Sequence, residues 1–239
     1  MFILCRRRIF ACLIFGLLLY PATSSAQKRA AALRGRAIVV DERLAALRSE
    51  PTLSATLVRR LSRGREVTLL GRRKASDGVI FERVAVTRRT RGWVQRDALA
   101  SPLAIGDDER LWRLIRASDG FVRIARAKLF LDLFPRSPYR PAVLWMLGEA
   151  AEQAADVLTR EAMRRLPDGE IAATGVPAHS YFMNYVGLDR YNRQGVRFVW
   201  DRARSRYVYD GACWREIVRR YPHSEEAERA RQKLSSLER

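Results

Sequence analysis

The sequence predicts an α+β protein: a small strand-built barrel over 37–102, followed by an all-α region over 103–239 with an inserted β-hairpin at 196–209. Three observations predict it. Short apolar runs separated by Gly turns fill the first segment and read as a small closed barrel. From Asp107 the apolar spacing changes to three and four residues, the period of a helix. Within the helical region, two aromatic, strand-like runs flank a charged turn.

The chain opens on a basic start, Arg6-Arg7-Arg8, then an apolar run from Ile9 to Tyr20 and a small-residue exit, Pro21-Ala22-Thr23-Ser24-Ser25-Ala26. Ser24 and Ala26 occupy the two recognition positions for cleavage before Gln27. This is the pattern of a secretory signal peptide over 1–26, and the apolar run is short for a membrane span. Cys5 precedes the run and Cys12 lies inside it, so neither sits where a lipidated Cys would follow the run. The expected location is exported, in the periplasm or cell envelope, with no transmembrane segment in the mature chain. Residues 27–36 are rich in Ala and Arg and read as a linker.

Four strands are expected in the barrel. Ala37-Ile38-Val39-Val40 is largely β-branched. Glu66 to Leu70 follows the turn Arg63-Gly64. Phe81 to Val86, after Asp77-Gly78, reads as an alternating strand with Phe81, Val84 and Val86 apolar. Arg91-Gly92-Trp93-Val94 closes the set, with Gly permitting a close backbone approach before a bulky pair.

These pieces, together with Leu44 to Pro51, Leu61 to Val67 and Ala98-Leu99, fall in an order that resembles the bacterial SH3-like (SH3b) family over about a quarter of the chain. The family's usual Asn in the leucine-arginine run is Ala here, and Phe81 stands where Trp is often found. The resemblance implies an SH3-like barrel that binds peptides or cell-wall glycopeptides. Candidate ligand-binding residues are Arg91, Trp93, Phe81 and Arg48. Trp93 has two readings, a packed core residue or a ligand platform beside Arg91.

The helical region starts with Asp107, Asp108 and Glu109 in a first turn, where acids favour a helix N-terminus. Leu111, Leu114 and Ile115 form one face. Gly120 interrupts the run, Phe121 to Phe134 resumes it, and Pro135 ends it. Ser137-Pro138 is expected to start a further helix, with Pro at its first position, continuing as far as Leu166. At the far end, Trp214, Ile217, Val218 and Tyr221 form a face before Pro222-His223-Ser224 and a last helix from Glu225 to Leu237.

Phe134-Pro135-Arg136-Ser137 thus matches Tyr221-Pro222-His223-Ser224, and Leu147 matches Leu234 at the same offset of 13. The two segments resemble tetratricopeptide-type repeats of envelope proteins, such as Tol-Pal-associated and outer-membrane-assembly factors. That resemblance implies a concave groove for a partner segment; the alternative is a compact helical domain without one. Between the copies, Val196 to Trp200 and Arg206 to Tyr209 predict the hairpin. Tyr207, Tyr209 and Trp200 are candidate partner-binding residues, or fillers between unequal helix pairs.

The formal net charge is +19, and all but four of the 45 Lys and Arg residues are Arg. The charges are spread rather than blocked, so no nucleic-acid site is expected. Attraction to acidic polymers or a membrane surface is an alternative function. Cys213 is the one Cys after residue 26, so no disulfide can form within the mature chain. With His179 and His223 it gives no zinc spacing, and neither a phosphate loop nor a nucleophile elbow is present, so no metal or cofactor is expected. A Cys213–His223 cell-wall hydrolase is the remaining enzymatic alternative; the leading expectation is a non-catalytic binder of cell-wall or peptide ligands and of an envelope protein partner.

Overall fold

The computed structural model describes residues 35–237. The signal-peptide assignment and nearly all of the 27–36 linker lie outside the described residues. The architecture is mixed α+β. Seven strands form one antiparallel sheet: β1 (Arg36–Val39), β2 (Ala46–Arg48), β3 (Leu57–Arg60), β4 (Glu66–Lys74), β5 (Ile80–Ala85), β6 (Arg91–Gln95) and β7 (Leu99–Ala100), in the order β3-β2-β6-β5-β4-β1-β7. No ladder joins β3 to β7 among the described residues, so the expected closed barrel is corrected to an open strand order. The end strand β7 has two residues and turns toward the helices, leaving little backbone to close a ring.

The four strands expected from apolar runs are β1, β4, β5 and β6. Their turns use Gly64 and Gly78, both at positive φ, which L side chains seldom adopt. The inner face buries Ala37, Val39, Leu47, Val67, Val84 and Val94 in one apolar cluster. The phase of β5 differs from its sequence reading. Phe81 lies opposite Gln95 and Val84 opposite Gly92, so the two side chains point to opposite faces, as the two-residue period of a strand requires. Both are fully buried.

The helices follow. α1 is Asp107–Arg116, α2 Gly120–Leu133 and α3 Arg140–Arg165. α3 starts later than expected: Ser137 to Tyr139 form a turn, and the proline in the first helical turn is Pro141 rather than Pro138. Short helices α4 (Asp168–Thr174), α5 (Ala178–Met183) and α6 (Asp189–Asn192) lead to the hairpin β8 (Phe198–Asp201) and β9 (Arg206–Tyr209), then to α7 (Ala212–Arg220) and α8 (Glu225–Leu237). α3 is the central element and packs against α2, α7, α8 and β9. Half of its buried residues are small: Gly148, Ala150, Ala151, Ala154, Ala155 and Ala162 let its neighbours approach closely. A Cβ at Gly148 would lie 2.5 Å from the indole nitrogen of the fully buried Trp214.

The repeated Pro turn is repeated in geometry. Phe134 and Tyr221 take nearly the same backbone angles (φ −120°, ψ 67° and φ −132°, ψ 50°). The Ser137 amide donates to the Phe134 carbonyl at 3.3 Å, and the Ser224 amide donates to Tyr221 at 3.0 Å. Arg140 is buried between the two turns. It donates to the Tyr221 hydroxyl at 3.0 Å and the Leu131 carbonyl at 2.6 Å.

Sheet and helices share a core. Ile38, Val40 and Ala100 belong to the same apolar cluster as Leu111, Ile115, Ile124 and Phe130. A buried polar seam runs through this junction. Arg126 on α2 donates to the Val40 carbonyl at 3.1 Å and to Ser118 Oγ at 2.6 Å, and pairs with Asp41 at 3.1 Å. Hydrogen bonds from Arg43 hold the Asp41 carboxyl below its usual range against the opposing effect of burial, and the Arg126 charge adds to the lowering. Asp107, at the start of α1, accepts from Arg96 at 2.5 Å and from the Ser101 amide at 2.8 Å. The division of the sequence at 102/103 therefore falls between elements, but no gap in packing accompanies it.

Candidate ligand-binding face of the sheet

The outer face of the sheet has two parts. At the β1–β7 end it is covered by helices, through Ile38 and Ala100. Further across, strand alternation turns Arg91, Trp93 and Gln95 of β6 to the outer side, while Gly92 and Val94 are buried inward. Gly92 sets the geometry. A Cβ there would lie 2.6 Å from the Arg48 carbonyl oxygen and 2.9 Å from Leu47 Cγ, so only Gly lets β2 come this close to β6. The resulting register places Arg48 on one side of Trp93 and Arg83 on the other.

Trp93 is half-buried, and Arg83 and Arg91 are exposed. Arg48 donates to the Ala55 carbonyl at 2.8 Å, which fixes its guanidinium beside the β2–β3 turn. Among the described residues, no carboxylate lies within ion-pairing distance of Arg48, Arg83 or Arg91. This face can offer an indole surface for stacking and guanidinium forks for carboxylates or phosphates.

Three of the four expected ligand residues, Arg48, Trp93 and Arg91, share this face. The fourth is corrected: Phe81 has the same facing in the register but is 0% exposed, so it is a packing residue with no surface to present. Arg83 was missed. Its signal was present in the sequence, because it is the charged position two residues from Phe81 in an alternating strand.

The inner side of the sheet has a cavity of about 230 Å³ lined in part by Arg72, Glu82 and Arg96. Its charges satisfy one another: buried Glu82 pairs with Arg72 at 2.6 Å and Arg96 at 3.6 Å.

The expected partner-binding tyrosines are also corrected. Tyr207 and Tyr209 are 1% and 2% exposed. Tyr207 donates its hydroxyl to the Phe182 carbonyl at 2.5 Å, and its amide donates to Thr159 Oγ1 of α3 at 2.9 Å. The Tyr209 hydroxyl accepts from the Cys213 amide at 2.8 Å. Trp200 is half-buried and stacks on Phe182 with ring centroids 3.9 Å apart. The hairpin aromatics therefore fill space between α3, α5 and α7, where large side chains bury most surface.

Cys213 is buried on α7, and burial pushes its thiol up to about 11. A neutral thiol is the opposite of an activated nucleophile. His223 lies exposed in the turn before α8. Compared with protein-family models, with curated proteins and with solved structures, the chain matches none.

Proposed function

We propose that the chain is an exported, non-catalytic envelope protein that binds a cell-wall or peptide ligand on the Arg48–Trp93–Arg83–Arg91 face of an SH3-like domain. Its helices, read as tetratricopeptide-like, dock a protein partner. One observation carries the reading: a half-buried indole set on the outer side of the sheet among arginines that have no carboxylate partner among the described residues. Cell-wall stem peptides carry free carboxylates that suit guanidinium forks, and sugar rings offer apolar faces that suit an indole. The neutral, buried Cys213 supports the non-catalytic reading over the hydrolase. The secretory pattern at 1–26 supports a periplasmic or envelope location.

Sacculus co-sedimentation at low and high salt tests this. Binding that survives high salt and is lost in Trp93→Ala is expected. The same unpaired arginines favour a second reading, a basic scaffold for acidic polymers or membrane surface. Binding that collapses with salt and ignores Trp93→Ala would select that reading and overturn the first.

A further inference from the structure

A second site lies away from the sheet, in the segment between the end of α3 and the hairpin. Here the chain leaves α3, runs through α4 and α5, and folds back to enclose an open groove of about 660 Å³. Its walls are apolar: Leu166, Val176, Tyr181, Tyr185 and Val186. Val176 and Val186 remain exposed, Val186 to 65%, although both belong to a lined concavity rather than a convex surface. A cleft of this size with apolar walls and a few polar groups is the usual form of a small-molecule site.

The polar groups include one cation. Arg165, Ser180 and Asn184 line the groove, and among the described residues no carboxylate does. Arg165 has no ion-pair partner among the described residues. Asn184 donates through Nδ2 to the Ser180 carbonyl at 2.8 Å, which turns its amide toward α5 and fixes its orientation. Tyr185 is the buried member of the wall, and its hydroxyl has no hydrogen-bond partner among the described residues. The helix that leads into the groove is lightly held: α4 fully buries none of its side chains, and Thr174 joins it to α5 through a hydrogen bond with the Tyr181 hydroxyl at 2.5 Å.

An apolar cleft with one unpaired cation and no acid is complementary to an apolar molecule with an anionic end. We infer that this groove binds a single-chain amphiphilic carboxylate of the fatty-acid class, with the chain along Leu166, Val176 and Val186 and the carboxylate at Arg165. The site shares no residue with the sheet face and does not depend on the reading of that face.

The test is calorimetric titration of the full-length chain with sodium dodecanoate below its micelle concentration, and with dodecyltrimethylammonium as the cationic counterpart. Saturable dodecanoate binding is expected, with the cation at least about fivefold weaker, the worth of one exposed charge pair. Arg165→Gln should weaken dodecanoate by about fivefold. Val186→Glu, at an exposed position that leaves folding intact, should weaken it by roughly tenfold through lost apolar contact and added repulsion. Arg91→Gln, on the sheet face, should leave it unchanged. Equal affinity for anion and cation would overturn the inference, as would an Arg91→Gln loss equal to that of Arg165→Gln, or an unaltered Val186→Glu. Binding only to vesicles of anionic lipid, with none to dodecanoate, would make the groove a membrane contact and would equally overturn it.

Discussion

Replacing Arg126 by Met tests whether the polar seam holds sheet and helices together. Met keeps much of the apolar stem and removes the charged head. The structure gives three losses: the donations to Val40 at 3.1 Å and Ser118 at 2.6 Å, and the pairing with Asp41 at 3.1 Å. Breaking one side of a buried ion pair costs about 3–5 kcal/mol. Asp41 keeps its hydrogen bonds from Arg43 at 2.9 and 2.5 Å, so the low end, about 3 kcal/mol, applies. For a chain of this size that lowers Tm by roughly 6–12 °C. Thermal unfolding followed by circular dichroism reads the shift. Because Ile38, Val40 and Ala100 share the helical core, the wild type should unfold in a single transition. In the double variant Arg126→Met/Asp41→Asn, the loss should be smaller than the sum of the two single losses, since the partners act on each other. A fall in Tm below about 2 °C for Arg126→Met, or two separated wild-type transitions, would refute a seam that couples the parts.

Four further outcomes are expected. Asp41 has a lower pKa folded than unfolded, so its stabilisation is present above the ordinary carboxylate range and is lost as pH falls through the folded value. Urea unfolding at several pH values should show the gap between wild type and Asp41→Asn narrowing below about pH 4. Gly92→Ala forces a methyl against the Arg48 carbonyl and should cost about 2–3 kcal/mol in chemical unfolding, with loss of the Trp93 face. Gly148→Ala meets the buried Trp214 ring and should cost about 1–3 kcal/mol, with a change in the near-ultraviolet signal of that indole. Cys213, as a buried neutral thiol, should resist alkylation at pH 8 in the native protein and react on unfolding; peptide mapping of the modified site reports this, and fast native labelling would contradict its burial.

What the sequence determined by itself was local and periodic. The apolar runs of β1, β4, β5 and β6, the glycine turns, the helix breaks at Gly120 and Pro135, the paired Pro turns and the hairpin were all legible, because each is set by the spacing of neighbours. Where no period exists, sequence was silent: β3 is exposed along its whole length as an edge strand, so nothing alternates. Three of the four expected sheet-face residues share one face because alternation is local; Phe81 is buried because outer-face packing is not.

The tertiary structure alone decided the rest. Arg126 and Arg140 look like solvated charges in a chain rich in arginine, yet they are buried, with partners up to 86 and 81 residues away. Tyr207 and Tyr209 look like a binding surface until α3, α5 and α7 close around them. The groove beside Arg165 has no sequence signature, since its walls come from the end of α3, from Val176, from α5 and from residues 184–186, brought together only by the return of the chain. Periodicity records which face of an element is apolar; which other element covers that face is fixed by contacts distant in sequence.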